Sequence, residues 1–113
     1  MAIIFKIFRL DEYTEFVAAG RTRGAPIYLT DGYIHLSTGE QVEETAAKHF
    51  ANVDGLKLLG VNSEALANDL KWEVSRGAAL FPHLYRELRD KDVLFVRDIP
   101  LVDGQHRFDG LLE

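Results

Sequence analysis

The sequence predicts an α+β protein, a twisted and split β-sheet carrying two main helices. Three observations lead there. Short apolar runs rich in β-branched and aromatic residues recur at Ile3–Phe8, Leu56–Val61 and Val93–Val96, each too short to stand as a helix. Two stretches with helical spacing lie between the first two runs, and strands dominate the second half. Turn-forming Gly, Asp and Asn separate the segments without dividing the chain, and 113 residues suit one domain, 1–113, that buries roughly two thirds of its unfolded surface.

Ile3–Phe8 reads as a buried strand. Asp11 is placed to cap the following helix, in which Tyr13, Phe16 and Val17 share one face and Gly20 supplies a left-handed stop. Residues 20–32 hold Gly20, Gly24, Gly32, Pro26, Arg21 and Arg23, the composition of a long surface loop of the kind that tends to carry function. Tyr33 to Ser37 then alternates as a strand: Ile34 and Leu36 face one way, Tyr33, His35 and Ser37 the other.

Thr38-Gly39-Glu40-Gln41 has capping-box spacing, and Val42, Ala46, His49 and Phe50 follow at helical intervals. A strand that runs straight into a capped helix brings the positive end of the helix dipole beside Ser37 and Thr38, a favourable place for an anion. Leu56–Val61 reads as a strand and residues 63–68 as a short helical turn. In Leu70–Val74, a further strand, Leu70, Trp72 and Val74 share a face and Glu73 takes the other. Trp72 reads more readily as core than as a ligand platform. Gly77 to Pro82 reads as loop, Val93–Val96 as a buried strand, and Asp103-Gly104 as the turn of a closing hairpin.

Composition narrows the function. The chain has no cysteine, which excludes thiolate zinc sites, cysteine nucleophiles and disulfides. A formal charge of −5 opposes broad binding to nucleic-acid phosphates, which requires clustered Lys and Arg. The N-terminus reaches Lys6 after a few apolar residues and no apolar run approaches bilayer length, so the expectation is a cytoplasmic protein without a membrane partner. Gly-x-x-x-x-Gly-Lys and paired-glycine nucleotide fingerprints are absent.

The candidate site residues are His35, Glu73 and His83 for acid/base work, with Tyr33, Ser37, Thr38, Tyr85 and Arg86 as ligand contacts. His35 and Ser37 lie on one strand face beside a helix N-terminus, a compact set of donors and acceptors. In Phe81-Pro82-His83-Leu84-Tyr85, His83 offers a hydrogen bond and Tyr85 an aromatic face. Glu73 joins them if its sheet face is theirs. Each also has a plainer reading: partnered histidines that serve structure, a solvent-facing glutamate, a loop pinned by Phe81 and Leu84. Two histidines and a glutamate are a known zinc set, but no His-Glu-x-x-His spacing is present, so no metal is expected. His49 and His106 fall on a helix flank and in the terminal hairpin.

Taken together, Ile4 to Ile7, Asp31 to Thr38 with the helix through Phe50, Lys71-Trp72-Glu73 and Phe81 to Tyr85 resemble the domain of unknown function 952 family. That resemblance implies a fold related to the ADP-ribosyltransferase superfamily. Tyr33-Ile34-His35-Leu36-Ser37 followed by a helix is similar to a segment of the RNA 2'-phosphotransferases, and by that likeness His35 and Ser37 would contact NAD or an ADP-ribose-like ligand while Tyr85 stacks on its base. Arg86 stands where the family usually carries Gly, and would either neutralise phosphate or simply fill the exposed end of the loop. Lys6 stands where active transferases carry His or Arg. Three functions follow as expectations: an enzyme of the ADP-ribosyl type, a non-catalytic binder of a nucleotide-like metabolite, or an interaction module whose histidines are structural.

Overall fold

The computed structural model describes residues 3–22, 32–75 and 79–112. Strands are β1 (Ile3–Phe8), β2 (Arg21–Thr22), β3 (Ile34–His35), β4 (Leu56–Asn62), β5 (Leu70–Ser75), β6 (Ala79–Leu84), β7 (Leu88–Arg89), β8 (Val93–Ile99), β9 (Leu101–Val102) and β10 (Gln105–His106), with helices α1 (Leu10–Ala19) and α2 (Val42–His49). All strand pairs are antiparallel: one three-stranded sheet β1-β4-β8, another β3-β6-β5, and the small ribbons β2-β7 and β9-β10. The architecture is α+β, as expected. The loop expected over 20–32 lies, from residue 23 to 31, outside the described residues.

The two larger sheets meet edge to edge where Phe5 and Ser37 exchange backbone hydrogen bonds of 2.7 and 2.9 Å. Beyond that bridge the sheets diverge. Each face of β1 is covered: Ile4 and Phe8 enter one apolar cluster with Ile34, Leu36, Leu59 and Leu84, while Phe5 and Ile7 enter a second with Val42, Ala46, Leu56 and Ile99. Continuous apolar sequence is what a strand buried on both faces requires.

Helix α1 ends as predicted, with Gly20 at φ 73° and its N–H on the Phe16 carbonyl. Its start differs: Arg9 is the cap residue, and the Glu12 carboxylate accepts the Arg9 N–H at 2.8 Å, while Asp11 accepts the N–H of Glu12. The buried arc runs through Tyr13 and Phe16 and stops short of Val17, which is exposed one position, about 100°, further round. At α2 the Gln41 side chain accepts the Thr38 N–H at 3.1 Å, but the Gln41 N–H goes to the Thr38 carbonyl rather than to the hydroxyl.

Three further expectations are corrected. Residues 79–82, read as loop, belong to β6, the central strand of its sheet. Pro82 is tolerated because its nitrogen points toward β3, which ends at His35; its carbonyl still accepts the Leu36 N–H at 3.1 Å, and the pair lacks only the return bond. Trp72 is not core. It shares a face with Leu70 and Val74 as read, but only the Leu70 end packs on the apolar cluster, and Trp72 is 47% exposed. β8 is an edge strand with Leu94 and Val96 exposed, because only one of its faces is covered. The hairpin turn is as predicted, with Asp103 and Gly104 both at positive φ.

Gly60 is required by contact rather than by conformation. A Cβ there would stand 2.2 Å from the ring of Phe95, which faces it across the β4–β8 ladder and is covered in turn by the Arg97 guanidinium at 4.0 Å. Gly60→Ala is therefore expected to destabilise the fold by about 1–3 kcal/mol, read as a lowered urea midpoint, and Phe95→Leu in the same chain should recover part of the loss. An unchanged midpoint for the single variant would contradict this packing.

Candidate functional site

Backbone alternation builds the site. In β3-β6-β5 the registers His35↔His83, Lys71↔His83 and Glu73↔Phe81 put His35, Lys71, Glu73, Phe81 and His83 on one sheet face, opposite the face that carries Ile34 and Leu84 into the core. Tyr33 and Tyr85 flank this set at the strand ends. The Tyr33 ring stacks on His83 with centroids 4.1 Å apart and 24° between planes, and lies 4.9 Å from His35 and 5.2 Å from Tyr85. The two imidazoles meet edge to face at 5.1 Å. Two histidines remote in sequence thus share one cluster.

Glu73 organises the polar side. Its Oε1 lies 2.9 Å from His83 Nδ1 and accepts the Tyr85 hydroxyl at 2.6 Å. The Tyr85 bond, then the His83 bond, hold the Glu73 carboxyl below its ordinary value of 4.5, so it is an ionised acceptor at neutral pH. Nδ1 of His83 must then donate, so that in the neutral ring the lone pair lies on Nε2. His83 is 2% exposed, and its Nε2 is buried without a hydrogen-bond partner among the described residues. Buried imidazole nitrogens are ordinarily satisfied, so this atom is the anomaly of the structure. The same carboxylate pushes the Tyr85 phenol up to about 12, since ionising it would set two negative charges side by side.

Other predicted residues stand apart from this chemistry. The Ser37 hydroxyl is buried 3.1 Å from that of Thr45 on α2, a bond between strand and helix. Thr38 is tied into the α2 entry by Gln41, and the first turn of α2 already carries Glu43 and Glu44 to complement its dipole. Arg86 is held by carboxylates: it donates to Asp92 at 2.9 and 3.1 Å and its Nε stands 3.3 Å from Asp69. Burial opposes the charge on Asp92, yet the bonds from Arg86 and the Arg89 N–H keep its pKa below the ordinary value. Arg86 thus ties β7 and the turn before β8 to the entry of β5, which explains a residue larger than Gly there. His106 Nε2 lies 2.9 Å from the Val53 carbonyl.

Two lysines reach the cluster that sequence reasoning did not assign to it. Lys6 is buried and its Nζ donates to the His35 carbonyl at 3.3 Å; Lys71 Nζ stands 4.7 Å from the Tyr85 ring centre. The signal for Lys6 was present, a lone charge within the apolar run Ile3–Phe8. Among the described residues no group of three or more His, Cys, Asp or Glu is placed to hold a metal ion, and no helix is long and apolar enough to cross a membrane.

The class these observations define is a small α+β protein with a histidine–tyrosine–carboxylate cluster on one face of an antiparallel sheet. The chain belongs to the family described as Protein of unknown function (DUF952), which matches residues 7–96. It is similar to protein CC0527 from Caulobacter crescentus, whose crystal structure is 47% identical with a TM-score of 0.91 over 97% of each chain. The solution NMR structure of CC0527 gives 47% identity and a TM-score of 0.87 over 99% of this chain and 97% of the other. No curated protein matches the chain.

The hydrogen bonds at Glu73 predict a pH dependence of definite sign. The Glu73 contribution to stability is present above 4.5 and lost as pH falls through its lower folded value; that of Tyr85 is present below 10.0 and lost as pH rises through about 12. Phenolate absorbance, with Tyr85→Phe as the subtraction, should show Tyr85 ionising well above ordinary tyrosine, and Glu73→Gln should return it toward the ordinary value. Arg86→Ala strands the mostly buried Asp92 and should destabilise by about 1–3 kcal/mol in chemical denaturation. A neutral result would mean that Arg86 is dispensable to the fold.

Proposed function

We propose that the chain binds a small ligand bearing a planar ring and a hydrogen-bond donor against Tyr33, His35, Glu73, His83 and Tyr85, and that this ligand is ADP-ribose-like, with NAD in its class. The observation that carries the reading is the buried Nε2 of His83, without a partner among the described residues on a ring whose other nitrogen is fixed by Glu73. An acceptor so held favours a hydroxyl or N–H of a ligand over an acceptor group. Ring contact is supported by the Tyr33 and Tyr85 faces, which lie 5.2 Å apart: a planar group can replace the Tyr33 ring over His83. The nucleotide class itself rests on the likeness of Tyr33–Ser37 and its following helix to the RNA 2'-phosphotransferases.

In this reading His35 orients a ribose hydroxyl, and the Glu73–His83 couple is the acid/base pair, with Nε2 taking a proton that Glu73 stabilises through Nδ1. The geometry changes one role. Arg86 is committed to Asp92 and Asp69, so negative charge on the ligand falls to Lys6 and Lys71. A second reading, a binder without catalysis, is favoured by the burial of His83, since a covered imidazole is better placed to hold a ligand than to cycle protons with solvent.

Thermal denaturation in the presence of NAD, ADP-ribose and adenosine tests the class. A true ligand at 100 times its Kd adds about 2.7 kcal/mol, a rise in Tm on the order of 10 °C for a chain of this size. Tyr85→Leu should weaken binding by roughly 5- to 150-fold, the worth of one ring stack, and leave the fold intact. Release of nicotinamide from NAD, lost in Glu73→Gln, separates catalyst from binder. If none of the three compounds shifts the melting curve, the ADP-ribose class is wrong.

A further inference from the structure

β5 is the outer strand of its sheet, and its free edge is unusually well specified. The Asp69 carbonyl accepts the Tyr85 N–H at 2.7 Å, so by alternation the backbone groups of Lys71 and Glu73 point into the β6 ladder and those of Leu70, Trp72 and Val74 point outward. Among the described residues the Leu70 N–H is taken by the Ala67 carbonyl, and no backbone group takes the others. The side chains on the apolar face of this edge are exposed as well: Trp72 47%, Val74 67%, and Leu80 beside them on β6 at 53%. An open edge with an aromatic and a β-branched residue is a template for strand pairing.

We propose that a second copy of this chain docks on β5, the two strands running antiparallel about a two-fold axis at Trp72. Charge selects both the occupant and the register. Pairing through the outward backbone groups permits centres at Lys71, Trp72 or Glu73. A centre at Lys71 opposes lysine to lysine, and one at Glu73 opposes glutamate to glutamate, both unfavourable. A centre at Trp72 sets Lys71 opposite the partner's Glu73 and Glu73 opposite the partner's Lys71, on one face, while Trp72 meets Trp72 and Leu70 meets Val74 on the other. The N–H and C=O of Trp72 pair with those of the partner's Trp72, and each Val74 N–H with the Leu70 carbonyl opposite, giving about four backbone hydrogen bonds. Both intramolecular bonds to Glu73 end on Oε1, which leaves Oε2 for the incoming lysine. The edge is therefore complementary to itself, and pairing would bring a cation of the partner to the carboxylate of the candidate site. The dimer does not depend on the ligand reading.

Sedimentation velocity over a roughly hundredfold concentration range tests this on the whole chain, with a monomer–dimer equilibrium expected. Val74→Pro removes an outward N–H without touching the β5–β6 ladder, and Lys71→Glu replaces both attractive pairs by repulsive ones. Each should weaken association by about tenfold or more with the far-UV circular dichroism of the monomer unchanged. Because the chain has no cysteine, Trp72→Cys gives a direct reading of register: directly opposed Cα atoms about 5.5 Å apart suit a disulfide, so this variant should cross-link in a glutathione buffer while Leu80→Cys should not. A monomer at every concentration with no cross-link at Trp72→Cys overturns the proposal. So does a dimer insensitive to both Val74→Pro and Lys71→Glu, or a monomer that captures only an unrelated extended peptide on this edge.

Discussion

His83 and Leu84 are neighbours in β6 and face opposite ways, and on that alternation the site and the core both depend. Leu84 packs with Ile34 and Leu36 in one apolar cluster, each such side chain worth about 1.5–3 kcal/mol when buried. A slip of a single residue would carry the imidazole into that cluster and the leucine onto the polar face. The bond from Tyr85 N–H to Asp69 and the Pro82 carbonyl bond to Leu36 pin the strand on both sides. Hydrophobic burial on one face thus sets the position of the candidate acid/base groups on the other.

Within the site, a single carboxylate oxygen does the ordering. Glu73 Oε1 fixes the tautomer of His83 and keeps the Tyr85 phenol neutral over the whole physiological range. The guanidinium nearby is used elsewhere: Arg86, with Asp92 and Asp69, braces the turn that follows β6. Structural and candidate chemical charges are thereby segregated, and loss of one set need not reach the other except through the backbone of residues 84–86.

Much of this was legible in the sequence, and the failures share causes. Strict alternation placed His35 opposite Ile34 and Leu36, and Glu73 opposite Trp72, because a period of two fixes faces without knowledge of neighbours. It could not say which face is covered. Hydrophobicity alone reads Trp72, Val96 and Val17 as buried, and all three are exposed where none of the described elements packs over them. β6 was hidden by Pro82, whose cost in a central strand vanishes only because β3 stops one residue early. Ser37 and Thr38 drew attention for their place before a helix, but Ser37 is spent on Thr45, a partner eight residues on that alternation does not reveal. Arg86 looked like a phosphate ligand until its two aspartates, remote in sequence from one another, came together around it.

β1 lends its even-numbered apolar residues to one hydrophobic cluster and its odd-numbered ones to the other. Neither cluster can be opened to water by peeling away an element that the other does not also need, since removing Ile3–Phe8 strips a wall from each. The two halves of the molecule are therefore thermodynamically fused: melting should be a single cooperative event, and amide protons on β1 and β4 should exchange with solvent only by global unfolding.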